Sequence, residues 1–84
     1  MGHFQKVRES ILSGMQDNNI SFSDLTGLLA YLNFSLRVKG DHHILTRSDI
    51  EEIINLQPKG SKAKPYQVKQ VRNLILKYKL GGES

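Results

Sequence analysis

The chain has 84 residues, too few for two halves that each bury an adequate core, so one domain around one modest core is expected. Its composition, 38% apolar and 24% charged, is that of a folded chain, and the lack of cysteine excludes disulfides, thiolate nucleophiles and cysteine-ligated zinc together. The longest apolar run, 28–32, is far short of the roughly 20 residues that span a bilayer, and no signal-peptide pattern opens the chain, so a soluble cytoplasmic protein without membrane association is expected.

Residues 3–14 read as a short helix, with Phe4, Val7, Ile11 and Leu12 at helical spacing and Gly14 as its stop, placed at the periphery. After a loop through Asp17, Asn18 and Asn19, Ser21 is a helix N-cap. Asp24 follows three positions on as the reciprocal partner of a capping box, and Ile20 is placed to staple against Leu25. Leu25, Leu28, Leu29 and Leu32 recur at the interval of one buried face, so the second helix covers 22–33 with Asn33 as its end.

Alternation in 34–38 predicts a strand with Phe34, Leu36 and Val38 inward, and Gly40 supplies the positive φ of a turn into a returning strand, 42–47. Ser48 and Asp49 mark another turn, and 52–57 reads as a third strand with Ile54 and Leu56 inward. A flexible, basic loop, 58–64, then enters a helix over 65–80. Pro65 suits its first turn, Val68, Val71, Leu74, Ile75 and Tyr78 form its apolar stripe, and Gly81 with Gly82 stops it. The predicted fold is an α+β two-layer sandwich: three antiparallel strands with helices 22–33 and 65–80 on one face, plus the extra N-terminal helix.

Charge is unevenly placed within the net +4. Residues 37–84 carry ten bases and five acids, and from 59 to 79 Lys59, Lys62, Lys64, Lys69, Arg72, Lys77 and Lys79 occur with no acid between them. Such a stretch is either a solvated face or a phosphate track, since each neutralised phosphate releases condensed counterions. His42 and His43 are adjacent at the turn-to-strand junction. On an extended strand their side chains take opposite faces, which argues against a shared metal and leaves one of them beside Lys39 and Gly40. Histidine is the side chain best able to move a proton near neutral pH, as phosphodiester cleavage requires, although an ordinary strand histidine is the plainer reading.

Other catalytic sets have less support. There is no Gly-x-Ser-x-Gly elbow, and Lys59-Gly60-Ser61-Lys62 lacks the first glycine and spacing of a Walker loop. Asp49, Glu51 and Glu52 could attract magnesium, but acids beside a turn are more simply solvated, so no metal and no cofactor are expected.

The segment 22–80 resembles the HicA toxins. The likeness rests on the leucine-rich helix, the basic strand ending Arg37-Val38-Lys39, the run Gly40-Asp41-His42-His43-Ile44, a third strand, and a basic loop entering the last helix. Its most specific part is the glycine, small polar residue, histidine motif, in which Asp41 stands where that family usually has serine. The resemblance implies a double-stranded-RNA-binding-like fold, an endoribonuclease that cleaves mRNA, and a HicB-type antitoxin protein as partner. It makes His42 rather than His43 the catalytic histidine, and the Lys62-Ala63-Lys64 segment looks like the lysine-rich phosphate clamp of double-stranded-RNA-binding domains. Candidate RNA-binding residues are then Lys39, Lys59, Lys62, Lys64, Lys69 and Arg72, and the chain divides into an N-terminal extension, 1–20, and a HicA-like domain, 21–84.

Two functions compete. One is a metal-independent ribonuclease with His42 as general base, and the other is a non-catalytic double-stranded-RNA-binding module in which His42 is incidental. A helix-turn-helix DNA binder is disfavoured because strand-like sequence separates the two strongest helices, where that motif needs a turn of about 3–4 residues.

Overall fold

A computed structural model describes residues 2–82, so positions 1, 83 and 84 of the expected ranges lie outside the described residues. Six elements follow in chain order: α1 (His3–Ser13), α2 (Phe22–Tyr31), β1 (Ser35–Lys39), β2 (His42–Arg47), β3 (Ile50–Leu56) and α3 (Pro65–Tyr78). The strands form one antiparallel sheet in the order β1-β2-β3, with the helices layered on one of its faces.

Cross-strand pairing identifies the two faces. Leu36 pairs with Leu45 and Leu45 with Ile54, while Val38 pairs with His43 and His43 with Leu56, so these residues share the helix-side face. Leu45, Ile54 and Leu56 are fully buried there against the helix layer. The opposite face is bare and carries Arg37, Lys39, His42, Ile44 and Asn55.

The expectation that Leu36 and Val38 are core residues is not met: they are 47% and 59% exposed. Their alternation puts them on the inner face, but β1 is an edge strand and the helix layer ends over β2, so nothing covers them. Phe34, just before the strand, is buried as expected.

Ser21 caps α2, its Oγ accepting the Asp24 N–H at 3.0 Å. The reciprocal half of the box is not made, because the Asp24 carboxylate turns to the His3 ring of α1 at 2.9 Å. Asn33 follows the helix at φ 73, a left-handed geometry that asparagine tolerates, and Arg47 donates to the Leu32 carbonyl at 2.9 Å. The third strand begins two residues earlier than its sequence suggests. Alternation continued back to Ile50 puts that residue in the core and Glu52 on the same inner face, toward α3. There the Glu52 carboxylate accepts from Lys77 Nζ at 2.7 Å and from the Tyr78 hydroxyl. These two hydrogen bonds hold its pKa down at about 2, so it stays ionised well into acid.

α1 is not peripheral. Val7 and Ile11 belong to the same core cluster as α2, β2, β3 and α3, and Ile11 has no exposed surface. Gly27 allows α1 and α2 to approach closely, since a Cβ there would sit 2.7 Å from the Phe4 ring. Two side chains fasten α1 to the C-terminal end of the fold, where Arg8 Nε donates to the Leu80 carbonyl at 2.8 Å and Arg72 to that of Ile11 at 3.1 Å.

Candidate functional site

Lys39 and His42 face each other across a two-residue hairpin loop, Gly40 and Asp41. Gly40 takes φ 61, the positive value that the first central position of a type II′ turn requires. The turn therefore sets the register that puts His42 on the bare sheet face, with Lys39 as its direct neighbour.

His42 is exposed, yet its ring is held at both nitrogens. Nδ1 lies 3.0 Å from Asn55 Oδ1, and Nε2 lies 3.3 Å from the side-chain nitrogen of Gln57. An amide nitrogen can only donate and an amide oxygen can only accept, so this pair of contacts fits a neutral imidazole with its hydrogen on Nδ1 and a lone pair on Nε2. Sequence reasoning misses Asn55 and Gln57. Alternation with inward Ile54 and Leu56 does place both outward, but only the register brings them to His42.

His43 points the other way, as strand geometry requires. Its ring packs edge-on against Phe22, with centroids 4.8 Å apart. It is half buried beneath the helix layer and is not on the face that carries His42.

From β3 the chain passes through Gln57 into the basic segment at this same end of the sheet. That segment is not the flexible loop its composition suggests. Lys59 and Lys62 exchange two backbone hydrogen bonds of 3.1 Å around Gly60, which takes φ 61. The Ser61 carbonyl accepts the Phe22 N–H at 2.9 Å, and Ala63 donates to the Ile20 carbonyl at 2.9 Å. Backbone bonds thus pin the turn to the start of α2 and satisfy one of that helix's free N–H groups. The Lys59 and Lys62 side chains stay exposed.

Lys64 precedes α3, where the buried Gln67 side chain accepts its N–H at 3.3 Å. Lys59, Lys64 and Tyr66 line an open groove of about 570 Å³, and Tyr66 also lines a second, of about 380 Å³, with Lys69, Lys77 and Glu52. Tyr66 is 63% exposed between these cations and is also missed by sequence reasoning; its place after Pro65, off the apolar stripe of α3, is the available signal.

Arg72 stands apart from the other cations. Its guanidinium faces inward, paired with both Asp17 oxygens at 2.9 and 3.3 Å besides the Ile11 carbonyl, and its side chain is 15% exposed. Among the acids considered for magnesium, Asp49 pairs with Arg47 at 2.8 Å and Glu52 with Lys77. Among the described residues, no three of His, Cys, Asp and Glu gather as a metal-binding group, and no helix is long and apolar enough to cross a membrane. Comparison with protein-family models, curated proteins and solved structures finds no match to this chain.

Proposed function

We propose that the chain is a toxin of the HicA type, a cytoplasmic, metal-independent endoribonuclease that cleaves mRNA with His42 as general base. The observation that carries this reading is the exposed His42 ring on the bare sheet face, opposite Lys39 and at the end where β3 leads into the Lys59 and Lys62 turn. In this mechanism Nε2 takes the proton of a ribose 2′-hydroxyl, whose oxygen attacks the adjacent phosphorus. The bond to the 5′-oxygen breaks, solvent protonates the leaving oxygen, and Lys39 or Lys62 offsets charge building on the phosphoryl oxygens. Phosphate near the start of α3 is favoured by the dipole of that helix.

A HicB-type antitoxin would silence the enzyme by covering the face that holds His42. Incubating the purified protein with RNA in EDTA tests the reading. Cleavage should proceed, leaving 2′,3′-cyclic phosphate ends, and should stop on adding an antitoxin that buries His42. Chelator-sensitive cleavage would overturn the mechanism. Binding without cleavage would leave the non-catalytic double-stranded-RNA-binding module as the better account.

RNA affinity should fall steeply with salt. Replacing Lys62, Lys64 and Lys69 by alanine should flatten the plot of log affinity against log salt by about 0.7 to 0.9 per lost phosphate contact. Arg72→Ala should leave that gradient unchanged and lower stability instead, by about 1–3 kcal/mol, because it strands Asp17 and the Ile11 carbonyl. A flattened gradient in the Arg72 variant with an unchanged melting curve would return that residue to the track.

A further inference from the structure

The hydrogen bonds on the His42 ring bear on how the proposed base works, and the role they are given rests on the ribonuclease reading. A base that accepts a proton through Nε2 must carry its own hydrogen on Nδ1, and the partner of one ring nitrogen decides the state of the other. We propose that Asn55 is the positioning residue of this site, fixing the ring as the Nδ1–H tautomer, and that Gln57 guards Nε2 until a substrate hydroxyl displaces it.

The geometry supports both roles. Asn55 lies on β3 opposite Ile44, one strand over and diagonal to His42, and its Oδ1 stands 3.0 Å from Nδ1. An imidazole tethered through Cβ and anchored at Nδ1 has little freedom left in its two side-chain torsions, which holds Nε2 in one place. The Gln57 contact at Nε2 is longer, 3.3 Å, and comes from an exposed side chain end, so a hydroxyl donor can take its place at little cost. Once displaced, the Gln57 amide remains beside the reacting atoms as a free donor for a phosphoryl oxygen. The other charged groups near the ring are Lys39 across the hairpin, Arg37 on the same face of β1, and Asp41 in the turn. Ring contacts from all three are absent among the described residues, which leaves the two side-chain amides to set the tautomer, and Asn55, with the shorter contact, is the one that holds the Nδ1 hydrogen.

The test pairs a spectroscopic readout with kinetics. In ¹⁵N-histidine-labelled protein, the His42 ring, assigned by its loss in His42→Ala, should show a protonated Nδ1 and an unprotonated Nε2 at pH 8. Asn55→Ala should move that signal toward the Nε2–H form and lower kcat by about a hundredfold with KM and RNA affinity little changed, a smaller loss than the roughly 10⁴-fold that follows from the wrong tautomer in a Ser-His-Asp triad. Asn55→Asp should restore the Nδ1–H form and much of the rate, and shift the acid limb of the rate profile to higher pH, because a carboxylate at Nδ1 favours the protonated ring. Wild-type protein with its hydrogen on Nε2, or an Asn55→Ala protein with unchanged ring signals and kcat, would overturn the proposal even if His42→Ala is inactive. Absence of cleavage by the wild-type protein would sink the ribonuclease reading, full cleavage by His42→Ala would sink His42 as its base, and in either case the wild-type and Asn55→Ala ring signals would still report whether Asn55 sets the tautomer.

Discussion

His42→Ala should abolish RNA cleavage, a fall of about 10²–10⁴-fold as expected for losing a general base, while RNA binding and the melting curve stay close to wild type. The ring is exposed and bonds only to two side chains on the sheet surface, so its removal takes nothing from the core. Surface changes of this kind stay within about 0.5 kcal/mol. His43→Ala is the informative control. Its ring packs on Phe22 from the other face of the sheet, so this variant should lose about 0.5–1.5 kcal/mol of stability and keep cleaving RNA. A reversed pair, with His42→Ala active and His43→Ala silent, would move the chemistry to the helix side.

The second large effect concerns α1. Ile11→Ala should cost about 2–5 kcal/mol, the range for emptying a fully buried aliphatic site. For a domain of this size each kcal/mol lowers Tm by roughly 4–8 °C, so the variant should melt at least about 8 °C below wild type. Met15→Ala, two positions beyond the same helix and 82% exposed, should melt with wild type. Were the two variants to melt together, α1 would be an appendage after all.

The contrast between these expectations and the sequence shows which information is local. Ser21 and the leucines after it announce α2 because a cap and a periodic face are written within ten or so positions, and the structure keeps both. Alternation puts Leu36 and Val38 on the correct face, but it says which side a residue takes and not whether a helix reaches over it. That depends on β1 being an edge, which is settled by the other strands. The basic stretch hides a similar distinction. Nothing near Arg72 in the chain reveals that its partner is Asp17, 55 residues away. His42 is legible as a residue type at a turn, and its separation from His43 comes from strand geometry. Its Asn55 and Gln57 contacts are not legible, because they depend on the β2–β3 register, which carries an irregularity that no residue in the sequence announces.

The fastening of α1 to the far end of the fold has a consequence for how the protein is made. The Arg8 to Leu80 hydrogen bond closes a span of 72 residues, and Ile11 shares its core with residues of α3. On a ribosome, α1 is synthesised first and must wait, its apolar stripe uncovered, until α3 has cleared the exit tunnel. The intervening hairpins can form earlier, because their pairings are local, whereas the long-range closure comes last and sets the pace of folding. A chain lacking α3 would therefore hold a formed Gly40 hairpin without a completed core, and docking of the final helix would be the step that commits the molecule to its native state.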